Sequence, residues 1–145
     1  MISGWKLIVI LVISLLLLSC DSEKEGPNAD GSKLREIEQI WDTLPQYPGT
    51  VEVANSKIST GKRAHRGKSF NSAANFNDLK QFYLERLSKT GWQLVEDRRM
   101  YDWGRDLGGH FLSFTKSEYK LSIQYAGESA SYGWDYVIDI YWSDL

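Results

Sequence analysis

Few side chains in this 145-residue chain could do chemistry: one cysteine (Cys20), two histidines (His65 and His110), and 19 carboxylates. The histidines show no HxxH, HxH or HExxH spacing. A zinc site needs three or four nitrogen, sulfur or oxygen ligands, so no metal is expected. Neither GxSxG nor SxxK frames a serine nucleophile. A small hydrolase could still be built on His110 and a nearby acid, because His110 opens a strand leading out of the segment that holds Asp102 and Asp106. The carboxylates also pair up as Glu96 with Asp97 and Asp135 with Asp139. The second pair, four residues apart on one strand, is separated by about 13 Å, wider than the roughly 5–9.5 Å of glycosidase pairs. Gly104, Gly108 and Gly109 form neither GxxxxGK[ST] nor GxGxxG, the phosphate-cradling patterns.

Two surface features remain. The segment Met100–Gly109 holds Tyr101, Trp103, Arg105 and Asp106. Exposed aromatics beside arginine have the composition of binding hot spots, and ten residues is long for a strand connection. These four residues are therefore the candidate partner contacts. The second feature is a basic stretch that includes Lys62, Arg63, Arg66 and Lys68, with no acid between Val53 and Asn77. It is a candidate contact for an anionic lipid surface. The net charge of −2 offers no global attraction to nucleic acid.

These residues must be positioned by a single domain, expected at Lys33–Leu145. Leu34, Ile37, Trp41 and Leu44 recur at helical spacing between Ser32, an N-cap candidate, and Pro45. Val51 onward reads as a strand, Gly61–Gly67 as a basic turn, and Lys68–Ala74 as a returning strand. Asn75 or Asn77 caps a second helix, Asp78–Lys89, whose stripe is Leu79, Phe82, Tyr83 and Leu87 and which Gly91 ends. Period-two alternation then marks strands around Trp92–Val95, His110–Thr115, Tyr119–Tyr125 and Trp134–Trp142. One wet face and one covered face imply an antiparallel sheet. The expected fold is α+β: a two-layer sandwich of four to five strands against one main helix, with an N-terminal helix, in the order α-β-β-α-β-β-β.

The first twenty residues carry a different signal. Lys6 precedes the unbroken apolar run Leu7–Leu18, and Asp21–Glu25 is abruptly polar. This is the layout of an export signal, shorter than the roughly 20 apolar residues of a spanning helix. The junction Leu17-Leu18-Ser19-Cys20 resembles a bacterial lipobox, with the chain's only cysteine at the required place. The resemblance implies cleavage before Cys20 and lipid attached to that cysteine. The signal peptide would be residues 1–19, and residues 20–32 would be a lipidated cysteine with a flexible tether. The expected cofactor is thus no more than the covalent lipid. The expected location is the cell membrane, lipid-anchored and facing the periplasm or outside. The layout of YPG, a hairpin, FYLERLSKTGW and a closing meander resembles small bacterial envelope lipoproteins of undefined role. Together these readings point to a non-enzymatic lipoprotein of the bacterial envelope that engages the membrane through its anchor and a protein or polymer through its surface.

Overall fold

The structure, a computed structural model, describes residues 26–128 and 130–144. The proposed signal peptide and Cys20 lie outside them. The described chain forms helix α1 (Ser32–Thr43), strands β1 (Val51–Thr60) and β2 (Arg63–Asn71), and helix α2 (Phe76–Lys89). Strands β3 (Gln93–Asp102), β4 (Arg105–Lys116), β5 (Tyr119–Tyr125) and β6 (Tyr136–Ser143) follow. All six strands join one antiparallel sheet in the order β1-β2-β6-β5-β4-β3. The α+β reading holds, but there are six strands rather than four to five, in the order α-β-β-α-β-β-β-β. The additional strand length comes from Met100–Gly109, which is not a loop. It continues β3 and β4 to a two-residue turn.

Both helices cover one face. Along β6, Tyr136, Ile138, Ile140 and Trp142 are buried and alternate with half-exposed residues. Their partners Tyr125, Ile123 and Leu121 on β5, then Leu112 and Phe114 on β4, extend the same buried layer. Ile37 and Trp41 of α1 and Leu79, Tyr83 and Leu87 of α2 close over it, as the helical stripes predict. Tyr47 packs edge-on against Phe82 at 5.2 Å, tying the turn after α1 to α2. Asn75 is the N-cap of α2, its side chain accepting from the Asp78 amide at 3.0 Å. Ser32 does not cap α1; Gly31 stands there in a left-handed conformation, φ 71°, without a side-chain cap bond.

The outer strands β1 and β3 are solvent-exposed along nearly their whole length. Their ladders shift register at Glu52/Ala54, Leu94/Glu96 and Met100/Asp102. Such bulges are a usual protection for unpaired edges. The second bulge turns Val95 outward, and the third turns Tyr101 outward.

The segment before α1 is part of the fold. Asn28, expected within the tether, is 1% exposed. Its side-chain amide donates to the Thr60 carbonyl (2.8 Å), the Ser59 hydroxyl (3.1 Å) and the Arg63 carbonyl (3.2 Å), and its oxygen accepts from the Lys33 amide (2.8 Å). Its own amide donates to the Gly61 carbonyl at 3.0 Å. One short polar side chain thus closes the β1–β2 turn and satisfies an amide in the first turn of α1.

Candidate functional site

The far end of the β3–β4 hairpin is the candidate site. Trp103 and Gly104 form its turn with φ of 50° and 82°. Two successive positive φ values are the signature of the type I′ turn, which matches the twist of the flanking strands and favours Asn-Gly or Gly-Gly. Glycine suits the second position; tryptophan at the first is strained, because its Cβ crowds the following carbonyl in the left-handed region. The ring receives no packing in return, being 95% exposed. Beneath the turn, Arg105 Nη2 donates to Asp102 Oδ2 at 2.6 Å and clamps the two strands.

The loop joining β5 to β6 buttresses the hairpin. Gly127, at φ 98°, lies so close that a Cβ there would stand 2.1 Å from the Leu107 carbonyl oxygen. Only glycine permits that approach. The same loop carries Tyr132 and Trp134, stacked on one another with ring centroids 5.3 Å apart. Tyr132 lines a small cleft of about 130 Å³ with Tyr101, Met100 and Leu107. It also borders an open cleft of about 610 Å³ with Trp134, Val51 and Asp135. Four aromatic side chains, Tyr101, Trp103, Tyr132 and Trp134, therefore share one end of the sheet.

The four predicted contacts do not converge. Tyr101 faces the Tyr132 cleft, Trp103 stands at the tip, and Arg105 is engaged with Asp102. Asp106 turns to the other side, pairs with Arg99 at 3.1 Å and accepts from the Gly108 amide. There it borders a cleft of about 570 Å³ at the start of α2, with His110, Arg99, Tyr125 and Glu128. His110 lies flat against Phe76, ring centroids 3.7 Å apart. Burial, reinforced by Arg99, holds its pKa below the ordinary histidine value. Among the described residues it makes no hydrogen bond to a carboxylate, although Asp106 and Glu128 line the same cleft.

The histidine that does meet an acid is His65. Its Nε2 lies 2.8 Å from Asp139 Oδ1, across β2 and β6 on the face away from the helices. Gly67 makes room for the pair, since a Cβ there would sit 2.3 Å from that oxygen. The other ring nitrogen, Nδ1, is buried without a partner. Among the described residues no group of three or more His, Cys, Asp or Glu could hold a metal.

The basic stretch divides between two surfaces. Gly61–Lys62 is the turn, and β2 begins at Arg63, so Gly61–Gly67 is mostly strand. Lys62 and Arg63 stand exposed at the tip. Arg66 and Lys68 point to the helix-covered face. Lys68 pairs with Glu52 at 2.9 Å and lies over the Trp41 ring at 5.3 Å, while Arg66 contacts Asn55 at 3.5 Å. The four cations do not form one patch. Lys57, in the same stretch, is paired with Glu38.

Sequence reasoning missed Asn28, the Tyr132–Trp134 stack and the His65–Asp139 pair. The run Ser131-Tyr132-Gly133-Trp134 was the available signal for the stack; the His65–Asp139 pair arises from strand register alone. Comparison with family models, with curated proteins and with solved structures finds no match to this chain.

Proposed function

We propose that this is a lipid-anchored, non-enzymatic binding module of the bacterial envelope, which engages a protein or envelope polymer through the end of the β3–β4 hairpin. The observation that carries the reading is Trp103: a large aromatic in a strained turn, almost wholly in water. Backbone strain persists where the surrounding structure enforces it, and it clusters at functional positions. Here a glycine or asparagine would make the same turn without exposing an indole. Tryptophan and tyrosine supply large contact areas at small entropic cost, and each carries a polar group for orientation. Tyr101, Tyr132 and Trp134 add to the same end of the molecule, and the Gly127 contact holds it in place. The lipid anchor rests on the Leu17–Cys20 junction.

Chemical crosslinking in intact cells, followed by purification of wild type and of Trp103→Ala/Arg105→Ala, tests the binding reading. A partner captured by the wild type and lost in the variant is expected; identical partners refute the assignment of this surface. Incorporation of labelled palmitate that disappears in Cys20→Ser tests the anchor.

A further inference from the structure

Resting on the lipid-anchored reading above, we infer that the domain stands on the bilayer with the β1–β2 and β4–β5 turns towards the phospholipid phosphates. The hairpin tip at Trp103 is thereby held away from that membrane. Three observations set this orientation.

The first is where the chain joins the fold. Asn28 is locked to the β1–β2 turn by Thr60, Gly61 and Arg63. Cys20 stands eight residues earlier, and eight residues reach at most about 28 Å. A lipid on Cys20 therefore keeps this end of the sheet near the headgroups.

The second is strand direction. Arg63 pairs with Ser143, Lys120 with Tyr141 and with Thr115, and Gln93 with Thr115, so all of these lie at the tethered end. β3 starts there and runs to the opposite end. The ten residues from Gln93 to Trp103 span about 33 Å. Trp103 is also on the edge of the sheet opposite β1. An upright domain cannot place the tether turn and the indole in the same headgroup layer.

The third is charge. Lys62, Arg63, Lys116 and Lys120 are exposed at the tethered end and make no ion pair among the described residues. The acids close by are engaged: Glu118 by Lys33 and Trp142, Asp30 by Arg35, and Glu85 by Lys89. Asp144 alone of the described acids at this end forms no such pair. Phosphate groups complement this surface, and the field of anionic lipid falls off within about 10 Å, far short of the hairpin tip. The contact surface is thus Lys62 and Arg63 with Lys116 and Lys120, rather than the contiguous sequence stretch that includes Arg66 and Lys68.

The full lipidated chain, reconstituted into phosphatidylglycerol-containing vesicles carrying a headgroup-photoreactive phospholipid, tests this orientation when labelled peptides are mapped by mass spectrometry. Labelling is expected on peptides containing Lys62–Arg63 and Lys116–Lys120 and is expected to be absent from the Trp103 peptide. Equal labelling at both ends, or labelling at Trp103, overturns the orientation. Lys116→Gln/Lys120→Gln, at exposed positions that leave the core intact, should weaken labelling at the tethered end about fivefold per cation removed; unchanged labelling refutes the phosphate contact. Incorporation of labelled palmitate, with Cys20→Ser as the control, separates the two levels. If the wild type takes up no more label than that variant, the anchor reading itself fails. If the anchor is present and the labels map to the hairpin tip, only the orientation does.

Discussion

Replacing Asn28 by alanine is the sharpest test of where the folded unit begins. The side chain satisfies four groups at once: the Lys33 amide, the Thr60 and Arg63 carbonyls and the Ser59 hydroxyl. Ser59 can turn its hydroxyl elsewhere, but the three backbone groups lie around a buried residue. Each net hydrogen bond contributes about 0.5–1.5 kcal/mol, and a buried group left unpaired costs more. The Lys33 contact acts as a helix cap, worth about 1 kcal/mol. Together the expected loss is about 2–4 kcal/mol, or about 10 °C in Tm for a domain of this size. Circular dichroism melts of wild type and Asn28→Ala read it directly. Asn28→Asp keeps the acceptor for Lys33 but sets a carboxylate against two carbonyls, so it should melt no higher than the alanine variant. A domain beginning at Ser32 should show a comparable loss relative to one beginning at Gly26. If Asn28→Ala melts within about 2 °C of wild type, the segment before α1 is only a tether, and the geometric basis for the membrane orientation goes with it.

Trp103→Asn should raise Tm slightly, because asparagine tolerates the left-handed turn position and the indole makes no packing contact to lose; a marked drop in Tm would mean the ring packs against the domain. Ile138→Asp, at a position with no exposed surface, should leave the domain unfolded at room temperature by far-UV circular dichroism, since burial of the isoleucine contributes about 1.5–3 kcal/mol and an unpaired buried charge costs more. A cooperative melt near the wild-type Tm would place that face in water. His110 has a folded pKa below its unfolded value, so the unfolded chain takes up the proton first as pH falls. Stability should therefore be full above about pH 6.5 and decline below it. Urea midpoints at successive pH values check this, and His110→Gln should flatten the slope; an unchanged slope would assign it to another group.

The helices show how far local patterning reaches. Leu34, Ile37 and Trp41, then Leu79, Tyr83 and Leu87, are spaced so that one side of a helix is apolar whatever it meets. Those stripes are the ones buried. The alternation in β5 and β6 likewise specified a half-covered sheet before any partner strand was known. The hairpin was harder to read. Its edge strand β3 is exposed along its length, its charged run Glu96–Arg99 carries no period-two signal beyond the start read at Trp92–Val95, and Trp-Gly is not a favoured turn pair. Asn28 lies in a run whose composition resembles disordered chain, and nothing local marks it as the residue that docks.

For this protein the sequence alone determined the element types with their apolar faces, the scarcity of catalytic side chains, and the expectation of a lipid on Cys20. Those properties depend on residue identity and on spacings of two to four positions, which the chain carries wherever it folds. Tertiary structure decided that the basic stretch splits between two surfaces, that His65 rather than His110 meets an acid, and that Trp103 stands alone at the tip. It also decided that Asn28 and the hairpin tip lie at opposite ends of the sheet. Each of these depends on strand register and pairing order between residues far apart in the chain, and a one-residue shift in register would send every side chain of a strand to the other face.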